Sequence, residues 1–231
     1  MRLIVVDASA VGGGPVTRAL ECAAREVSHA GASVEHLRLY ALFTTCCATC
    51  GACRDTGRCS VRHPALDAAA ERLLDADSLL VGVSSSASQR DRRAEVLLRR
   101  LVGSFGRVYD ARYGESTVAE AGCSKRAALV SSAPPFLGAA ATLGALPYGL
   151  SGVWRVLDRA GVEVVGASAV ARRWYGPAAW DVTRERAVRL GRRLAAHAAV
   201  PVPVPAARPA APWPAVARPA SRPIGVRPRV A

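Results

Sequence analysis

The feature that most constrains the fold of this chain is a fivefold alternation of short apolar runs with longer segments of helical periodicity. The apolar runs have the length of strands and cover residues 2–7, 34–39, 78–83, 127–131 and 162–165. Apolar residues recur at helical spacing in the segments that follow, at 15–30, 64–74, 90–102, 137–159 and 181–198. This alternation predicts a five-stranded parallel sheet with helices on both faces, which right-handed crossovers join into a doubly wound, three-layer α/β sandwich.

The loops that follow the strands are where this fold class binds its ligands. In a doubly wound sheet the ligand lies beyond the carboxyl ends of the strands, at the point where the strand order reverses. We therefore expect the functional residues in four loops, at 8–15, 40–63, 84–90 and 131–136. The first of these contains three consecutive glycines and ends at Pro15, which suits the first turn of a helix.

The composition changes near residue 200. Residues 200–231 contain nine of the 15 prolines and five arginines, and they contain no acidic residue. Such a segment favours a disordered tail of polyproline character. The sequence therefore predicts one α/β domain over residues 1–199, with an irregular cysteine-rich loop at 40–63, followed by a tail at 200–231.

The chain is strongly basic, with 31 basic and 18 acidic residues and a formal net charge of +13. A positive field attracts phosphate groups of any kind, so the charge alone does not choose among their carriers. There is no recognisable nucleic-acid-binding module and no regular alternation of basic and aromatic residues. Nucleic acid is therefore not expected as the partner.

Two apolar stretches bear on the compartment. The run at residues 2–7 is too short for the apolar core of a signal peptide. The stretch 127–154 has no charged residue, but it is interrupted by Pro134, Pro135 and Pro147, which a lipid-facing helix would have to accommodate. We expect a buried strand and helix there, no contact with a membrane, and a cytoplasmic protein.

Five of the seven cysteines lie between residues 46 and 59, and four of them form the pattern Cys47-x2-Cys50-x2-Cys53-x5-Cys59. Closely spaced thiolates on one irregular loop can surround a single metal centre, and the two-residue spacers match the ligand run of bacterial ferredoxins. The pattern favours a 4Fe-4S cluster. Zinc is a second interpretation, and a thiol or disulfide site without metal is a third.

The segment from Cys47 to Cys59, together with a glycine-rich loop after the first strand, resembles the flavodoxin-like NAD(P)H-dependent FMN reductases, and among them the iron–sulfur flavoproteins. Weaker similarity lies in the segments 125–132 and 157–166. The resemblance spans about residues 1–198. It implies a flavodoxin-like three-layer sandwich, bound FMN, NAD(P)H as the electron donor, and electron transfer to a redox partner or a small-molecule acceptor. It also implies a homodimer or a higher oligomer.

The resemblance assigns roles to particular residues. The FMN phosphate would lie in the loop after the first strand, where Ser9 and Thr17 match the hydroxyl positions of the family and the glycines would let the backbone approach. The full set of expected cofactor-binding residues is Ser9, Gly12, Gly13, Gly14, Thr17, Ser84, Ser85 and Ser86. The expected metal ligands are Cys47, Cys50, Cys53 and Cys59. No side chain is singled out as a catalytic acid or base, because the cofactors would carry the chemistry.

The chain also departs from the family pattern. The loop after the first strand lacks the usual basic residue and amide, and the segment 84–88 has serines where the family has an aromatic residue beside the flavin. An alternative interpretation is therefore a diverged flavodoxin-like domain without flavin, which acts as a metal-stabilised binding or scaffold protein.

Overall fold

The computed structural model describes residues 1–9, 12–42, 63–83, 89–113, 125–133, 153–154, 157–158, 162–171 and 177–198. Within them five strands form one parallel sheet: β1 (Arg2–Asp7), β2 (Ser33–Arg38), β3 (Ser78–Val83), β4 (Arg126–Ala133) and β5 (Glu163–Ala171). The strand order is β2-β1-β3-β4-β5. This is the flavodoxin-like order of a doubly wound sheet, so the predicted fold class is confirmed.

Four long helices of the described residues cover the two faces of the sheet: α1 (Pro15–His29), α2 (Pro64–Asp75), α3 (Gln89–Tyr113) and α4 (Pro177–Ala198). Helices α1 and α4 enclose one apolar core with the sheet, and α2 and α3 enclose a second core on the opposite face. Val153 and Leu157, which are helical, belong to this second core. The central strand β1 contributes Leu3 and Val5 to one core and Ile4 and Val6 to the other. Its continuous apolar run follows from burial on both faces.

Two glycines lie in close contact with α1, one against its side chains and one against its backbone. A Cβ on Gly82 of β3 would overlap Leu20 and Val16 of α1, and a Cβ on Gly191 of α4 would overlap the backbone of Ala23. At Gly191 any larger residue would force the backbones of α1 and α4 apart, and at Gly82 it would displace the side chains of Leu20 and Val16. These contacts determine where the amino-terminal end of α1 lies relative to the carboxyl end of β1.

The boundaries of several elements differ from the sequence prediction. Helix α3 continues to Tyr113 instead of ending near residue 102, because Leu101, Phe105 and Tyr109 extend its buried apolar face. Strand β5 runs to Ala171 instead of ending at 165, since pairing with β4 holds a Gly- and Ala-rich segment of weak strand propensity. Helix α4 begins at Pro177 rather than 181.

Strand β2 ends one residue earlier than predicted, and the segment after it is not irregular throughout. Residues Leu39–Leu42 form a short 3-10 helix, in which Leu39 is buried and Tyr40 and Leu42 pack against the core. The rest of the predicted loop, up to residue 62, lies outside the described residues, as does most of the predicted helix 137–159. The tail at 200–231 also lies outside them, so the division into domain and tail stays a prediction. Within the described part of the chain, no helix is both long and apolar enough to cross a membrane.

Glu35 links the edge strand β2 to its neighbours. Its carboxylate accepts hydrogen bonds from Arg2 of β1 at 2.7 Å and from Arg72 of α2 at 2.9 Å. The hydrogen bond from Arg2, with the positive charge of Arg72, holds the pKa of Glu35 below its ordinary value of 4.5. The same pairing raises the pKa of Arg2. The ion pairs therefore stabilise the fold only while Glu35 is ionised.

We expect the Glu35→Gln variant to lose stability at neutral pH but not in acid. Because the pKa of Glu35 is lower in the folded state, the unfolded state takes up the proton first as the pH falls. The contribution is complete above the unfolded pKa and disappears as the pH falls through the folded one. Urea unfolding at pH 7 should show a loss of about 0.5–1 kcal/mol for these part-exposed pairs, shrinking towards zero near pH ~3.

The matched control is Glu185→Gln, which removes an exposed pair within α4, where Arg189 Nη2 lies 3.1 Å from Glu185 Oε1. This variant should change the free energy of unfolding little at either pH. An equal loss for Glu35→Gln at both pH values would contradict the assignment.

Candidate functional site

The strand order places a ligand crevice beside the carboxyl end of β1. The chain leaves β1 towards α1 on one face of the sheet, and it leaves the adjacent β3 towards α3 on the other face. Connections that diverge from neighbouring parallel strands leave an open crevice between them. Ala8, Ser9 and Gly12–Gly14 follow β1 at this crevice. Arg38 ends β2, which lies on the side of β1 opposite β3, and it pairs in register with Asp7.

The carboxylate of Asp7 organises the loop between β1 and α1. Its Oδ1 accepts a hydrogen bond from the backbone N–H of Ser9 at 2.8 Å, and its Oδ2 accepts one from the hydroxyl of Thr17 at 2.9 Å. Asp7 is only 6% exposed. A buried carboxylate requires such donors. The two bonds therefore tie the end of β1 to the first turn of α1.

The start of α1 leaves backbone donors unused within the described residues. Gly14 is the N-cap and makes no side-chain capping bond, and Pro15 follows it without an N–H. The first helical hydrogen bond runs from the N–H of Arg18 to the carbonyl of Gly14. Gly13 has a φ of +77°, a conformation that favours glycine. The N–H groups of the first turn and the positive end of the helix dipole face a turn suited to an anion.

Two buried hydroxyls have no hydrogen-bond partner among the described residues: those of Ser9 and Ser131. Ser9 is 8% exposed and lies in the loop that leads into α1. Ser131 is fully buried near the end of β4, where it pairs in register with Val83 of β3. An unsatisfied buried hydroxyl costs free energy, and a ligand that bonds to it removes this cost. The Ser9 hydroxyl therefore points to a polar ligand at the loop.

A basic side chain reaches the loop from the neighbouring strand. The guanidinium of Arg38 occupies the space that a Cβ on Gly12 would fill. Arg38 itself is exposed, and it forms no ion pair within the described part of the chain. The sequence predicts no cation at this loop because none of the loop's own residues is basic. The register of β1 with β2 is the signal that reveals Arg38.

The structure brings together five of the residues predicted for the cofactor site, namely Ser9, Gly12, Gly13, Gly14 and Thr17. Thr17 donates its hydroxyl hydrogen to Asp7, so in this arrangement it positions the loop rather than donating to a ligand. Ser84, Ser85, Ser86 and the four predicted metal ligands lie outside the described residues. Among the residues that are described, no three His, Cys, Asp or Glu side chains form a metal site.

Solved structures share the fold of this chain. It is similar to an NAD(P)H:quinone oxidoreductase from Methanothermobacter marburgensis, with 18% identity and a TM-score of 0.59 over 84% of this chain and 98% of that one. An azoreductase from Bacillus anthracis gives 12% identity and a TM-score of 0.54 over 83% of this chain and 98% of that one.

A flavone reductase gives 13% identity and a TM-score of 0.58 over 86% of this chain, which spans only 63% of the length of that protein. No protein-family model matches the chain, and no curated protein matches it in sequence. At these identities the likeness establishes the fold.

We expect Thr17→Val to destabilise the protein more than Thr17→Ser. Valine keeps the shape of threonine but removes the hydroxyl that donates to Asp7, which leaves a buried carboxylate oxygen without its partner. Chemical denaturation should show a loss of about 1–3 kcal/mol in the free energy of unfolding for the valine variant. Serine keeps the donor and serves as the matched control. Equal stability of the two variants would show that the bond to Asp7 does not support the loop.

Proposed function

We propose that this chain is an FMN-dependent NAD(P)H oxidoreductase that holds the phosphate of FMN in the loop between β1 and α1. The observation that carries the proposal is the buried, unsatisfied hydroxyl of Ser9 in the loop beside the topological switch point. The resemblance of the sequence to flavodoxin-like FMN reductases supports the identity of the ligand. The names of the similar structures, a quinone oxidoreductase and an azoreductase, support the reaction class.

The residues present fit a phosphate group. Ser9 offers an unused hydroxyl, Gly12 lacks a Cβ and so leaves room for the guanidinium of Arg38, and the first turn of α1 offers backbone N–H groups. Asp7 and Thr17 use their polar groups to hold the loop in shape, so the anion site is formed before the ligand arrives. When bound, FMN would supply the hydride-accepting chemistry. The protein's part is to position it at the carboxyl edge of the sheet.

The donor, the acceptor and the assembly belong to the same proposal. NAD(P)H would reduce the bound cofactor, and the electrons would leave to a redox partner or to a small-molecule acceptor such as a quinone or an azo compound. The names of two similar structures, a quinone oxidoreductase and an azoreductase, support these classes of acceptor. A homodimer or a higher oligomer follows from the resemblance and stays a prediction.

We expect Ser9→Ala to weaken FMN binding without destabilising the protein. The substitution removes a hydroxyl that has no partner within the described residues, so the free energy of unfolding should stay unchanged or rise slightly. FMN affinity, measured by quenching of flavin fluorescence, should fall about three- to tenfold for the loss of one hydrogen bond. The wild-type protein loaded with FMN should oxidise NADH or NADPH with a quinone as acceptor.

The matched control is Ser28→Ala, which removes an exposed hydroxyl at the opposite end of α1. It should change neither FMN affinity nor NAD(P)H oxidation. If the wild-type protein binds no FMN, or if Ser9→Ala and Ser28→Ala bind it equally well, the proposed phosphate site is wrong.

A second part of the proposal concerns the cysteine-rich segment. We propose that Cys47, Cys50, Cys53 and Cys59 hold a 4Fe-4S cluster, with zinc as the alternative occupant of the same four thiolates. The spacing of the thiolates on one short segment supports the proposal. A cluster near the flavin would provide a one-electron route between the cofactor and the redox partner.

Metal content tests this part directly. Anaerobically purified protein should contain about four iron atoms per chain, and Cys50→Ser should lose most of them together with the broad absorption of the cluster. Cys22→Ser is the matched control, because Cys22 is buried on α1 and its sulfur accepts a hydrogen bond from Arg25 at 3.4 Å. Stoichiometric zinc without iron would select the alternative occupant. Unchanged metal content in Cys50→Ser would contradict the ligand assignment.

A further inference from the structure

The loop between β1 and α1 is a candidate anion site, yet it lies beside a buried negative charge. None of the described residues of the loop carries a positive charge that would offset it. Asp7, the last residue of β1, is a buried carboxylate beside this loop, and a carboxylate close to an anion site weakens binding of the anion. The hydrogen bonds from Ser9 and Thr17 stabilise this negative charge without neutralising it. A cation from elsewhere in the fold would offset this charge and favour binding of an anion here.

The neighbouring strand supplies one. Arg38 is the last residue of β2 and pairs in register with Asp7, so its backbone is fixed beside the end of β1. Along β2, Val34 packs against the core that α1 covers, and Arg38 lies four residues further, which places it on the same face of the sheet. From there its guanidinium reaches the backbone of Gly12.

The guanidinium lies beside Gly12, and no acidic side chain among the described residues pairs with it. Asp7 is its neighbour in the sheet, yet Arg38 forms an ion pair neither with Asp7 nor with any other acidic side chain that the structure describes. Arginine presents several N–H donors in a planar fork that matches phosphate. An exposed guanidinium beside a glycine turn and the unsatisfied hydroxyl of Ser9 is suited to receive a dianion.

We propose that Arg38 is the phosphate-binding cation of this site and that it makes the site selective for a phosphomonoester over its dephosphorylated counterpart. The inference rests on the proposed FMN site and adds the residue that determines which flavin is retained. Arg38 replaces, from the adjacent strand, the basic residue that the loop itself lacks. Gly12 has a defined part in this arrangement, because any larger residue displaces the guanidinium.

The first experiment compares FMN with riboflavin, which differ only in the phosphate. Flavin fluorescence titrations are carried out on the wild type and on Arg38→Gln, Arg38→Lys and Arg25→Gln. We expect Arg38→Gln to bind FMN at least about tenfold more weakly and riboflavin unchanged, and Arg38→Lys to recover part of the loss. Arg25→Gln removes the same charge further along α1 and should leave both affinities unchanged.

The second experiment tests the contact between Arg38 and Gly12. The Cβ of Gly12→Ala would occupy the position of the guanidinium, and the flexible end of Arg38 can move away. Gly12→Ala should therefore weaken FMN binding in the wild-type background but have little further effect on Arg38→Gln. Thermal unfolding verifies that each variant is folded, which we expect because Arg38 is exposed.

The outcomes separate this inference from the proposed function. Equal FMN affinity in Arg38→Gln and the wild type, an equal loss in Arg25→Gln, or an equal loss for riboflavin would overturn the role of Arg38. Additive effects of Gly12→Ala and Arg38→Gln would overturn the contact. If the wild type binds neither flavin, the proposed function fails. Line broadening of inorganic phosphate in ³¹P NMR then decides the role of Arg38: broadening lost in Arg38→Gln supports it, and any other result overturns it.

Discussion

The position of the loop between β1 and α1, at the carboxyl edge of the sheet, depends on the buried carboxylate of Asp7. Burial without donors would strongly disfavour its charge, and the structure supplies the N–H of Ser9 and the hydroxyl of Thr17. These two bonds fix the distance between the end of β1 and the first turn of α1. The close approach of α1 to β3 at Gly82 and to α4 at Gly191 fixes the helix from its other sides. The glycine turn between Asp7 and α1 is therefore held on rigid elements, as a binding site requires.

The same constraint explains how charge is distributed around the site. Asp7 gives the loop its shape but brings a negative charge close to the helix start, where the dipole and unused N–H groups attract anions. Arg38 carries the opposite charge to the same place from the neighbouring strand. Asp7 of β1 thus gives the loop its shape, and Arg38 of β2 supplies the positive charge. The parallel pairing of β1 with β2 brings these two residues together.

Sequence reasoning predicts the architecture of this chain because burial patterns are local. Continuous apolar runs such as the one in β1 identify strands covered on both faces, and their alternation with helices leads to the observed sheet. Boundaries set by long-range contacts are missed. The end of α3 depends on the burial of Phe105 and Tyr109 against the core, and the length of β5 depends on its pairing with β4.

The residues of the candidate site also divide into those that the sequence identifies and those that only the pairing of the strands reveals. Ser9 and the glycines follow β1 directly, so their place at the loop is evident from the sequence, whereas the sequence indicates a loop without any cation. Arg38 is thirty-one positions after Asp7 and becomes its neighbour only through the register of the sheet. The predicted strand ends at residue 39, so only the observed register identifies Arg38 as the neighbour of Asp7.

The most direct test of the proposed phosphate site is a map of where FMN contacts the protein. Uniformly ¹⁵N-labelled protein is titrated with FMN, and the backbone amide shifts are followed residue by residue. We expect the largest shifts at Ser9 and at Gly12–Gly14, while the amide of Gly31 at the far end of α1 stays unchanged. Saturable binding that leaves the amides of Ser9 and Gly12–Gly14 unmoved would contradict the proposed phosphate site.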